Sequence, residues 1–134
     1  MSVNRLQILA AWSGVIGRPG YSAGEWISEP GMMPWFRYFP GTARFAEELA
    51  SCQWTNPQSA PYDLAMIADL QAIGSANEAQ IQAMLTAIVR MDRFNEGFLA
   101  QKLGDGTILA ICRRAGVLAD QSNPRAASSR NENT

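Results

Sequence analysis

A mainly α-helical fold is predicted: a compact bundle of five or six helices, with a short β-hairpin or structured loop between the first two. Three observations carry this. Apolar residues recur at helical spacing over most of the 134-residue chain. Glycine and proline gather in residues 17–41, which hold five of the eleven glycines and four of the seven prolines. Ser75-Ala76-Asn77-Glu78 has the form of a helix-capping box.

The first helix is expected over residues 3–15, with Ser2 or Asn4 as its cap. Leu6, Ile8, Leu9, Trp12, Val15 and Ile16 give it a broad apolar face, and Gly17 with Pro19-Gly20 stops it. In the stretch that follows, Glu25-Trp26-Ile27 and Trp35-Phe36-Arg37-Tyr38-Phe39 are aromatic and extended in character. Glu29-Pro30-Gly31 and Met32-Met33-Pro34 separate them. An isolated hairpin is marginal in water, so its aromatics are expected to pack on helices. The alternative is that Trp26, Met32, Met33, Trp35 and Tyr38 form a partner-binding surface, since methionine and aromatic residues are enriched at interfaces.

A second helix is expected over residues 42–52, with Phe45, Ala46, Leu49 and Cys52 facing inward. Pro61 suits the first turn of a third helix that Gly74 ends. Leu64, Met66, Ile67, Leu70 and Ile73 surround that helix on nearly all sides, which predicts a central position. The fourth helix starts at the box, Ser75 serving as cap and Glu78 reaching back. Gly104-Asp105-Gly106 reads as helix punctuation, because it lacks the spaced acids of a calcium loop and the Lys-Ser or Lys-Thr pair of a phosphate loop. A last helix begins near Thr107, with Arg113 and Arg114 placed to complement its macrodipole. Beyond residue 119 the composition turns to Ser, Asn, Arg and Ala. The organisation expected is one helical domain over residues 1–119 and a polar, flexible tail over 120–134.

Composition excludes several classes of function. With 11 basic and 12 acidic residues the net charge is −1, so no general field draws the chain to nucleic acid or an anionic membrane. There is no histidine, which removes the commonest general base, the usual metal ligand and every Ser-His or Cys-His arrangement. No catalytic residue, metal ligand or cofactor is assigned. Cys52 and Cys112 lie in apolar helical patterns and read as reduced core residues of a cytoplasmic protein. No apolar run is long enough to span a membrane.

One stretch concentrates the ionisable side chains: Arg90-Met91-Asp92-Arg93-Phe94-Asn95-Glu96-Gly97. On a helix that turns about 100° per residue, Asp92 falls on the apolar stripe of Ile81, Met84, Leu85 and Ile88. Burying an unpaired carboxylate costs several kcal/mol, so Asp92 needs a cation, several donors or a proton, and Arg37 is the expected partner. Otherwise the helix breaks near Asp92 or Phe94, and Asp92 or Asn95 caps the next helix. The candidate ion-pair cluster or binding site is Glu25, Arg37, Arg90, Asp92, Arg93 and Glu96.

Arg90-x-Asp92-Arg93-Phe94-x-Glu96-Gly97-x-Leu99, followed by Gly106 and Ile111-x-Arg113-Arg114, resembles the bacterial domain-of-unknown-function 6508 family. Gly24-Glu25-Trp26 and Met33-Pro34-Trp35-Phe36-Arg37-Tyr38 extend the resemblance upstream. It implies a small bacterial protein, of a kind a mobile element can carry, with no established activity. The chain departs from the pattern at Phe98, where a histidine is frequent, and at Asn95, where a cysteine is frequent.

The function expected from the sequence is a protein-interaction module without catalytic activity, in bacterial or phage defence or counter-defence, with an unidentified protein partner. The alternative is a metal- or phosphate-dependent enzyme using Asp92, Glu96 and Glu25. A second alternative, nucleic-acid binding through Arg90, Arg93, Arg113 and Arg114, has only four arginines and no motif behind it.

Overall fold

The computed structural model describes residues 4–55 and 67–121. In order the elements are α1 (Arg5–Ala11), α2 (Ser13–Ile16), β1 (Gly24–Ile27), β2 (Trp35–Tyr38), α3 (Pro40–Ser51), α4 (Leu70–Gly74), α5 (Glu78–Phe94), α6 (Phe98–Gly104) and α7 (Thr107–Gln121). The architecture is mainly α, with an antiparallel hairpin between the opening helices and α3. The expected first helix is present as two segments, α1 and α2, meeting at Trp12. Asn4 is the cap: its side chain accepts from the backbone of α1 while Gln7 reaches back to the Asn4 amide.

The core is built by the two longest helices. α5 buries Ile81, Met84, Leu85 and Ile88, and α7 buries Ile108, Ile111, Cys112 and Ala115. α7 packs on α1, α4, α5 and α6. Gly116 lies inside α7, where a Cβ would stand 3.5 Å from that of Ala10, an ordinary van der Waals contact, so α1 packs beside it without requiring a glycine there. Burial also pushes the Cys112 thiol up to about 12, leaving it an inert core group.

Three expectations are corrected here. Of the expected third helix, the described part is a five-residue α4 that starts at the Asp69 cap and is not apolar-facing all round: Leu70 is 57% exposed while Ile67 and Ile73 are buried. Pro61, Leu64 and Met66 lie outside the described residues. The box that starts α5 is Asn77 with Gln80, not Ser75 with Glu78. Ser75 instead ends α4, its hydroxyl donating back to the Gln71 and Ala72 carbonyls. Both segments contain a cap-like residue followed three positions later by Glu or Gln, and the later one prevails because α4 needs Ser75 at its own end. Arg113 and Arg114 sit mid-helix, since α7 continues to Gln121. Arg114 donates through Nε to the Ala76 carbonyl at 2.7 Å, joining α7 to the start of α5. Asp120 and Gln121 are helical, and the remainder of the expected tail lies outside the described residues.

Gly104-Asp105-Gly106 does punctuate the chain: Asp105 accepts from the Thr107 amide at the head of α7 and from Lys102. Burial opposes the charge on Asp105, but the Thr107 donors and Lys102 outweigh it and hold the carboxyl below its ordinary range.

A carboxylate-pinned hairpin beside an open cleft

The hairpin register pairs Gly24 with Tyr38, Glu25 with Arg37, Trp26 with Phe36, and Ile27 with Trp35. Side chains alternate across a strand, so Trp26, Phe36 and Tyr38 share one face while Glu25, Ile27, Trp35 and Arg37 share the other. On the first face the three rings form an edge-to-face series, with centroids 5.3 and 4.9 Å apart. That face lies against the turn between α5 and α6.

Two carboxylates fasten it there. Asp92, in the last turn of α5, accepts through Oδ1 from the Tyr38 hydroxyl at 2.5 Å and from the Leu99 amide at 2.9 Å. Glu96 accepts through Oε1 from the Phe36 amide at 2.7 Å, a donor that hairpin pairing leaves unused. The helix does break at this point: α5 ends at Phe94, Gly97 turns through φ 86°, and α6 begins at Phe98. Asp92 thus satisfies a free amide in the first turn of α6 from within α5, but the N-cap position belongs to Gly97, and Asn95 is the C-cap of α5, so neither Asp92 nor Asn95 caps α6 in the expected way. A Cβ on Gly97 would approach the Trp26 ring to 3.1 Å, so a glycine here serves both the left-handed turn and the close approach of the hairpin.

The pairing of Arg37 with Asp92 is not formed. Arg37 and Tyr38 are neighbours on opposite faces, and the face that meets Asp92 carries the phenol; Arg37 pairs across the strand with Glu25. The cation expected for Asp92 is therefore replaced by two neutral donors. Burial, then the hydrogen bond to Asp92 and its charge, push the Tyr38 phenol far above its ordinary range. Arg90 is half-buried and Arg93 exposed. The six-residue cluster divides accordingly into a docking pair, Asp92 and Glu96, an outer cross-strand pair, Glu25 and Arg37, and two arginines on α5.

Of the candidate partner surface, Met33 is 86% exposed, and Trp26, Met32 and Trp35 are also exposed, whereas Tyr38 is half-buried and engaged. Phe94, at the end of α5, adds an 88% exposed ring.

Beside the docked hairpin lies an open cleft of about 560 Å³. Trp26, Phe36 and Gly24 line it from the hairpin, Glu96 and Gly97 from the turn, and Gln101 from α6. Tyr21 and Ser22 also line it with no signal in their local spacing, as does Asn95, which the sequence marks only as a cap candidate and a motif position. Its carboxylate has no second acid or histidine beside it in the lining. No group of three or more metal-capable side chains occurs among the described residues. No helix among them is long and apolar enough to cross a membrane.

A second polar centre lies at the opposite end of α5 and has no mark in the sequence. Arg5 donates through Nε and Nη2 to Glu78 Oε2 at 2.9 and 2.7 Å and through Nη1 to the Gln53 carbonyl at 3.2 Å. Its guanidinium lies 4.0 Å from the centre of the Trp54 ring.

A hairpin pinned by a carboxylate at the end of α5 and another in the following turn, with an aromatic-floored cleft at the joint, is the candidate site of this small, mainly helical domain. The chain matches the model of a family of unknown function (DUF6508) over residues 1–121 and belongs to that family. No curated protein and no solved structure matches it significantly.

Proposed function

We propose that this domain is a protein-interaction module without catalytic activity, presenting the hairpin to a protein partner. The observation that carries this reading is the exposure of Trp26, Met32, Met33 and Trp35 on a hairpin anchored by Asp92 and Glu96. A two-stranded ribbon left to itself would fluctuate; anchored, it offers its apolar side chains at low ordering cost. Free Cys52 and Cys112 fit a reducing compartment, in keeping with a cytoplasmic protein. The bacterial or phage-related setting, in defence or counter-defence, rests on the sequence resemblance alone.

The test is affinity capture from the native host with the wild-type chain and with Trp35→Ala and Met33→Ser, followed by reconstitution with the purified partner. A partner retained by wild type and bound about tenfold more weakly by either variant supports the module. Absence of any retained partner, or equal retention by all three proteins, contradicts it.

The competing enzyme reading requires Asp92, Glu96 and Glu25 to act together, yet each is engaged by a different group. A thermal shift with millimolar Mg²⁺ or Mn²⁺ that is lost in Glu96→Gln would favour it.

A further inference from the structure

We propose that the cleft between the hairpin and α6 binds a guanidinium group, delivered as an arginine side chain on a basic segment of the partner. This deepens the interaction reading and rests on it. Several donors around the cleft are already engaged. Glu96 takes the Phe36 amide, Asp92 takes the Leu99 amide, and the Asn95 carbonyl takes the Phe98 amide. Thr42 directs its only proton to the Ala23 carbonyl, so in the Tyr21–Thr42 contact the Tyr21 hydroxyl is the donor. Ser22 donates to the Gly24 carbonyl.

Acceptors remain. The second carboxylate oxygen of Glu96, the amide oxygens of Asn95 and Gln101, and the lone pairs of Ser22 all belong to lining residues. No lysine or arginine contributes to the lining, and its one formal charge is negative. An anion would meet no cation and no free backbone donor from the first turn of α6. A neutral polyol would satisfy the acceptors but gain nothing from the charge. A guanidinium supplies five donors in a plane, pairs with the carboxylate, and stacks on an exposed indole; Trp26, 57% exposed and set edge-to-face against Phe36, is that indole. The volume exceeds that of one side chain and admits the flanking peptide.

The experiment is a titration of the full chain with acetyl-Gly-Arg-Gly-amide and with the same peptide carrying citrulline, a neutral isostere. It is read by NMR at the Trp26 indole N–H and at the Asn95 and Gln101 side-chain amides. Glu96→Gln is the matched variant, because an amide oxygen still accepts from Phe36 while the charge is gone. Saturable shifts at these signals are expected, with binding roughly tenfold weaker for citrulline and for Glu96→Gln. Absence of saturable shifts, or equal binding of the two peptides, overturns the proposal. If Glu96→Gln loosens the hairpin, the citrulline comparison on the wild-type chain decides alone. Failure of the arginine peptide while capture through Met33 and Trp35 persists removes the cation site and leaves the interaction module standing. Arginine-selective binding without any captured partner supports the site and removes the module.

Discussion

The two ends of α5 are held by opposite chemistries. At its start Glu78 meets a full positive charge: the Arg5 guanidinium bridges α1, the end of α3 and α5 while covering Trp54. Near its end the donors that Asp92 meets among the described residues are neutral, a phenol and a backbone amide. A carboxylate in the last turn of a helix faces the wrong end of that helix's dipole, so one expects it to need a cation more than Glu78 does. It is satisfied differently because the next helix begins within reach and supplies an unpaired amide. What an acid on an apolar stripe requires is donors, and a helix terminus provides them without a second charge to desolvate.

The contrast predicts unequal costs of disruption. Arg5→Met removes the donors of Glu78 and of the Cys52 carbonyl, while the Gln53 carbonyl keeps Gln82 Nε2, and should lower stability by about 2 kcal/mol in urea denaturation. A loss under about 1 kcal/mol would mean that the charged end is no stronger than the neutral one.

Tyr38→Phe should cost about 1 to 2 kcal/mol by removing one donor from Asp92. It should also change the alkaline limb. The phenol keeps its proton in the folded state at pH values where the unfolded chain releases it, so its contribution is fully present below about pH 10 and is lost as pH rises through the folded value. The wild-type chain should therefore lose stability more steeply than Tyr38→Phe above pH 10. Parallel curves would show that the phenol is not specifically protected.

The left-handed residues at the two joints sharpen the comparison further. Gly97→Ala, with φ 86° and a Cβ 3.1 Å from Trp26, should cost about 1 to 2 kcal/mol. Gln53 holds φ 64° after α3, with its amide bonded to Ala50 and the Trp54 amide to Leu49. Gln53→Gly relieves that conformation and should raise stability by about 0.5 kcal/mol. Smallest of all, Arg37→Met removes an exposed cross-strand pair and should change stability by less than about 0.5 kcal/mol, because solvent screens such pairs.

Much of this architecture is legible in the sequence, for reasons that differ along the chain. The apolar period of α5 and α7 survives into the fold because burial enforces it at every turn. The hairpin is readable from its aromatic strands and the Pro-Gly punctuation between them. Asp92 stands out because a charge interrupts an apolar stripe. Its partner does not, since Arg37 and Tyr38 are adjacent in sequence and only strand parity, fixed by the register with β1, decides which one faces α5. Arg5 is silent for a related reason: a single arginine has no spacing to mark it, and its acceptors, the Glu78 carboxylate and the Cys52 and Gln53 carbonyls, come from distant parts of the sequence. The cleft has no linear signature, because its lining is drawn from four separate segments.

A double-mutant cycle on Asp92 tests the central claim most directly, with Asp92→Asn combined once with Tyr38→Phe and once with Arg37→Met, stabilities being measured at neutral pH. A coupling of about 1 kcal/mol or more with Tyr38, and less than about 0.3 kcal/mol with Arg37, is the predicted result. A larger coupling with Arg37 than with Tyr38 would contradict the neutral-donor anchor.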